Sequence, residues 1–172
     1  MTSTHIASEF ISQSVLRLNE NTPRIEKCLN VLSEEEVWKR PNDSSNSIAN
    51  LMLHLCGNMT QWIISSLSGK PDLRKRDLEF SARNTLPKDQ LLGNLKTTVD
   101  EATQVISSLD EQGLLQLKSV QGFEYSGMGI IIHVVEHYSY HTGQIALLTK
   151  LMKNVDLEFY AGVDLLKKNK VT

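Results

Sequence analysis

The stretch that most restricts this chain is IIIHVVEHYSYHTGQIALLTKLM, from Ile130 to Met152, which reads as one long amphipathic helix. Its histidines fall at 133, 137 and 141, each four residues from the next. At about 100° per residue, the three imidazoles share one helix face, about 40° apart. Ile130, Val134, Gln144, Ile145, Leu148 and Leu151 share that arc, whereas Glu136, Ser139, Gly143, Lys150 and Lys153 lie opposite. The histidines therefore fall in the apolar stripe, the face a helix turns toward a core. An unpaired polar group there costs roughly 2–7 kcal/mol, so the ring nitrogens need partners. A metal ion is the most economical partner for several rings at once. Neutral imidazole is a good ligand for Zn, Ni, Cu and Fe, and i, i+4 spacing lets two rings reach one ion.

The other segments also carry helical periods. From Ser3 to Leu32 the apolar positions are Ile6, Phe10, Ile11, Val15, Leu18, Ile25, Cys28, Leu29 and Leu32. Thr22-Pro23 interrupts them, and proline is costly inside a helix, so a kink or break is expected near Pro23. Ser33-Glu34-Glu35-Glu36 has the form of a capping box opening a short turn before Pro41. A second helix is predicted from about Ser47 to Leu67, apolar nearly all round except for a narrow strip of Asn50, His54, Asn58, Gln61 and Ser65. The helical wheel leaves two readings of that strip: a solvated face, or a face turned toward an internal, metal-bearing cleft.

Residues 68–87 read as irregular, with the charged group Arg74 to Phe80 either solvated and pinned by Leu78 and Phe80 or packed over a site. A third helix is predicted from Lys88 to Leu109. Leu117 to Tyr125, with Gly122 between two β-prone pieces, predicts a small hairpin. Ser126 to Gly129 opens the histidine helix, and the tail offers Phe159, Tyr160, Val163 and Leu165 for packing before a lysine-rich end. The fold class is all-α, and a four-helix bundle is the simplest way to hide these faces.

Composition narrows the function classes. At 172 residues the expectation is a single domain over 1–172. With 40% hydrophobic and 22% charged residues and a net charge of −2, the chain lacks a basic nucleic-acid footprint or a polybasic membrane patch. No apolar run approaches the ~20 residues of a membrane span, and MTSTHIASEF lacks the pattern of a signal peptide. Cys28 and Cys56 form no CxxC and no disulfide framework, which points to a reducing cytoplasm. The zincin motif HExxH is absent, since Tyr138 stands where it places the glutamate base. There is no Gly-x-Ser-x-Gly elbow, no P-loop and no Rossmann glycine pattern.

The segment HVVEHYSYHTGQI resembles the last helix of the DinB-like (YfiT-like) superfamily of metal-binding four-helix bundles, in which HxxxHxGQ recurs. NLMLHLCGNMTQW, from Asn50 to Trp62, resembles that group's second helix, histidine included. With RKRDLEF between them, the order and spacing resemble one uncharacterised subgroup, from about Arg24 to Tyr160. The resemblance implies a divalent metal, Zn or Ni, held by His54, His137 and His141. It also resolves the polar strip in favour of the cleft. His133, one turn earlier, is then assigned to the surroundings of the ligands, and Gln144 matches the family glutamine, suited to bracing a ligand or a neighbouring helix. Thr142 stands where the family often has arginine, so no role of that arginine carries over.

Three neutral ligands leave an ion its full charge and an open position, the pattern of catalytic sites. Superfamily relatives include transferases and isomerases that use low-molecular-weight thiols such as bacillithiol or mycothiol. The implied function is a metal-dependent enzyme, a thiol-dependent S-transferase acting on small electrophiles in stress or detoxification, with hydrolysis as a variant. The alternative is a non-catalytic bundle that binds metal, ligand or partner helices; a third reading is a metal-free polar core. The expected partners are a small-molecule substrate and a second copy in a homodimer, with no nucleic acid and no membrane.

Overall fold

The computed structural model describes residues 3–170. In chain order the elements are α1 (Ser3–Asn30), α2 (Glu34–Trp38), α3 (Ile48–Met59), a π-helical continuation (Thr60–Ser65), α4 (Ser66–Ser68) and α5 (Arg76–Ser81). There follow α6 (Lys88–Ser107), α7 (Glu111–Leu115), strands β1 (Leu117–Val120) and β2 (Phe123–Ser126), and α8 (Gly127–Lys153). The long helices form a bundle in which α1 packs on α6 and α8, and α3 packs on the same two. The helix bearing His54 and the helix bearing His133, His137 and His141 are thus neighbours. Leu18 and Ile25 of α1, Met52 and Leu55 of α3, Leu95 and Ile106 of α6, and Val134 and Ile145 of α8 meet in the core. Each such side chain contributes about 1.5–3 kcal/mol through burial. The predicted all-α bundle with its small hairpin is what the chain forms.

Local chemistry sets the element ends. Ser33 Oγ accepts from Glu36 N at 3.2 Å while Glu36 Oε2 accepts from Ser33 N at 2.8 Å, which completes the expected capping box. Ser126 Oγ caps α8 by accepting from Gly129 N at 3.1 Å. β1 and β2 pair antiparallel, Val120 opposite Phe123. Gln121 and Gly122 between them both have positive φ, 53° and 82°, as a two-residue hairpin turn requires.

Three expectations need correction. α1 is not broken at Pro23 but runs through it. Pro23 and Asn19, whose carbonyl would have received the missing N–H, both face solvent, while buried Leu18 and Ile25 fix the helix on either side. The deepest stripe of α8 is Val134, Tyr138, Thr142, Ile145 and Thr149, so the histidines stand at its flank, and Leu151 points outward, 72% exposed. In the tail Leu157 is buried and Phe159 half-buried, but Val163 and Leu165 are exposed. Tyr160, also mostly exposed, lies under the Arg24 guanidinium, 5.6 Å from ring centroid to Cζ.

Candidate metal centre

The polar strip of α3 turns inward. Asn50, His54, Asn58 and Ser65 are all buried, which rules out the solvated-face reading. His54 stands opposite His137 and His141 of α8, and one ligand atom from each of the three lies within 4.8 Å of the others. His54 Nε2 is 3.0 Å from His137 Nε2, which is 3.2 Å from His141 Nε2. Two nitrogens bound at about 2.0–2.1 Å to one tetrahedral ion stand roughly 3.3 Å apart, so these separations are of the size a shared ion requires.

The far ring nitrogens fix the tautomers, as inferred from their partners. His54 Nδ1–H donates to Glu79 Oε2 at 2.8 Å, and His141 Nδ1–H donates to Gln144 Oε1 at 2.7 Å. Both Nε2 atoms are then lone pairs aimed at His137 Nε2, which has at most one proton to share between them. A cation among the three removes that conflict. His137 Nδ1 is buried without a protein partner, as is Asn58 Oδ1. The donor set and its geometry fit a divalent metal ion.

Charge in the site follows from burial. Desolvation, with the neighbouring histidines and Arg74, pushes the His137 pKa down to about 3. His141 is also lowered by desolvation, partly offset by Gln144. At neutral pH both rings are neutral and able to ligate. Burial works to raise the Glu79 pKa, but hydrogen bonds from Arg74 and His54 outweigh it, and the carboxyl is held below its ordinary value. Arg74 grips that carboxylate with Nε on Oε1 at 2.7 Å and Nη2 on Oε2 at 2.9 Å, and its Nη1 donates to Gln61 Oε1 at 2.9 Å. Arg74 Nη2 also stands 3.1 Å from His54 Nδ1; both atoms carry protons, so the shared carboxylate brings them together rather than a bond between them.

His133 stands apart. Its ring stacks on Trp62 at 3.9 Å, and its Nε2 faces Asn58 Nδ2 at 3.5 Å. Trp62 and Gln61 belong to the π-helical stretch, a distortion often found at functional sites. Neither cysteine offers a ready nucleophile: burial pushes Cys56 up to about 11, and Cys28 is raised for the same reason.

The segment from Arg74 to Phe80 is where sequence reading fell short. Part of it is helix α5, and the side chains that turn inward are Arg74 and Glu79, while Leu78 is more than half exposed. Phe80 lies beside His54, ring centroids 4.8 Å apart. The available signal was the strip itself: once buried, Asn50 and His54 demand partners, and the charged segment that follows can supply them.

Over residues 5–161 the sequence matches the family described as "Protein of unknown function (DUF1572)". The chain belongs to that family. No curated protein matches this DUF1572 member. Among solved structures it is similar to the DinB-like protein YjoA of Bacillus subtilis, with a TM-score of 0.64 and 18% identity over 88% of this chain and 97% of that one. It is also similar to a DinB-like protein from Bacillus cereus, with a TM-score of 0.62 and 14% identity over 78% of this chain and 87% of that one. The DUF1572 chain therefore has the DinB-like fold.

Proposed function

We propose that this protein is a metal-dependent enzyme in which His54, His137 and His141 hold one divalent ion, Zn or Ni, through their Nε2 atoms. The observation that carries the reading is the convergence of three Nε2 atoms from two helices, two of them with the far ring nitrogen already committed to Glu79 or Gln144. When bound, an ion with three neutral ligands supplies positive charge that favours the ionised form of a thiol or water beside it.

The reaction we favour is thiol-dependent S-transfer to a small electrophile. The thiol gives its proton to solvent water, its sulfur bonds to the electrophilic carbon, and the leaving group departs with the electron pair of the bond that breaks. With water in place of the thiol, the same site would hydrolyse. Two features support a small substrate. His137 and His141 are only half-buried. Gln144, which braces His141, also lines a cavity of about 360 Å³ with Pro41, Leu51, Leu147 and Leu148, within the usual range for small-molecule sites.

His133 supports the site from outside it, through Trp62 and Asn58. Residues 1–172 act as one domain, and the protein works as a cytoplasmic homodimer. The exposed α8 stripe of Ile132, Tyr140, Leu147 and Leu151 supports the dimer, and the two free cysteines suit a reducing compartment. Among the described residues, no helix is long and apolar enough to cross a membrane.

The test is metal content by mass spectrometry on protein purified without a histidine tag. About one Zn or Ni per chain is expected, strongly reduced in His54→Ala, His137→Ala and His141→Ala and less so in His133→Ala. Metal followed by turnover in a screen of thiols with electrophiles supports the enzyme; metal without turnover favours a binding module. A folded wild type that stays empty after Zn or Ni is added refutes the site.

A further inference from the structure

The segment from Arg74 to Ala82 is strapped onto α3 by buried polar contacts as well as by packing. Asn50, wholly buried, donates from Nδ2 to the carbonyls of Glu79 at 2.8 Å and Ala82 at 3.1 Å. Those bonds bring the Glu79 carboxylate against His54, and Arg74, with only 3% of its side chain exposed, holds both carboxylate oxygens. Such a buried ion pair is weak ground for stability in itself, because desolvation offsets much of the attraction. Its place in the fold calls for another reason.

Gly57 points to one. Glycine in a helix interior is unfavourable relative to alanine, yet residue 57 lies inside α3. A Cβ there would collide with Glu79 Oε1, and would stand 2.8 Å from Glu79 Cδ and 2.9 Å from Arg74 Nε. The helix thus gives up a side chain where the carboxylate and guanidinium need room.

We propose that Glu79, gripped by Arg74 and admitted by Gly57, is the positioning residue that governs how His54 is presented, so that the strap sets the affinity of the three-histidine site for its ion. The inference rests on the metal reading given above. As Nε2 shares its lone pair with a cation, Nδ1–H becomes a stronger donor, and an ionised acceptor responds more than a neutral one. The three ligands differ in this respect. His54 has a carboxylate, His141 has the neutral amide of Gln144, and His137 Nδ1 has no protein partner. Affinity is therefore more sensitive to Glu79 than to Gln144.

The experiment measures Zn affinity by competition with a chromophoric chelator for wild type, His137→Ala, Glu79→Gln, Gly57→Ala and Gln144→Ala. Proton NMR follows the downfield Nδ1–H signal of His54 in parallel. Glu79→Gln is expected to weaken binding by about 10–100-fold and to move the Nδ1–H signal upfield. Gly57→Ala, which deletes no polar group and favours the helix, is expected to weaken binding in the same direction. Gln144→Ala is expected to have the smaller effect. Wild type that binds Zn, with Glu79→Gln and Gly57→Ala both within twofold of it and the signal unmoved, overturns the strap's role and leaves the metal site standing. Wild type that binds no Zn sinks the metal reading and this inference with it. Should Glu79→Gln fail to fold, Gly57→Ala alone decides.

Discussion

Replacing Asn50 tests whether one buried amide holds the strap to the bundle. Its Oδ1 accepts from Ser47 N at 3.3 Å and Ser47 Oγ at 2.8 Å, which closes a capping box at the start of α3. Its Nδ2 supplies a proton to Glu79 O, a carbonyl in the last turn of α5, where intrahelical donors run out. Ala82 O keeps a second donor, Arg83 Nη1 at 2.7 Å, so Glu79 O is the group left exposed to loss. Weakening the cap costs about 1 kcal/mol. Leaving a buried carbonyl without its donor costs about 1–3 kcal/mol. Asn50→Ala should therefore destabilise by about 2–4 kcal/mol, a large share of the ~5–15 kcal/mol typical of a domain.

Asn50→Asp separates the two contributions. It keeps the cap acceptor but turns a carboxylate toward two carbonyls, so it should be at least as destabilising as alanine. Urea unfolding followed by circular dichroism gives the free energies. Hydrogen exchange should show the Arg76–Ser81 amides opening faster in both variants. Losses under about 1 kcal/mol with unchanged exchange in α5 would refute the account, and a near-normal Asp variant would reduce Asn50 to a helix cap.

Acid should destabilise the metal-free protein before it reaches ordinary carboxylate values. His137, at about 3, and His141 and His133, both lowered by burial, take protons less readily folded than unfolded, where histidine sits near 6.5. Their contribution is present in full above about pH 6.5 and is lost as pH falls toward 3; Glu79, held below 4.5, adds loss in the same direction. Urea midpoints at pH 7.5, 6 and 5 should fall in that order, and a flat or rising series would contradict the burial argument. Pro23→Ala restores an N–H in the interior of α1 on its solvent face, and should stabilise by roughly 1–3 kcal/mol after allowing for the freer unfolded chain. A loss of stability there would mean that Pro23 has a packing role unseen in the fold.

Local patterns were legible without coordinates because their causes lie within a few residues. The 3.6-residue period marked four long helices, and Ser33 with Glu36 marked a capping box. Gly122 between two β-prone pieces marked the hairpin. The i, i+4 spacing put His137 and His141 on one face, and a resemblance named His54 as their companion. At Pro23 the local penalty was clear, but only the packed bundle shows that Leu18 and Ile25 hold the helix on both sides so that it does not break there.

What tertiary structure decided depends on which faces meet. The wheel of α3 could not say whether its polar strip met water or a cleft, because a histidine beside Asn50 and Asn58 satisfies either reading. Packing α3 against α8 buried the strip and brought Nε2 of His54 to 3.0 Å from Nε2 of His137. Likewise Arg74 and Glu79, two charges in a segment that could be solvated or packed over a site, became the grip on His54 only when Asn50 tied the backbone of Glu79 and Ala82 to α3. Sequence period sets where a side chain points on its own helix. Which partner it meets is fixed by contacts between residues far apart in the chain, and those exist only in the folded protein.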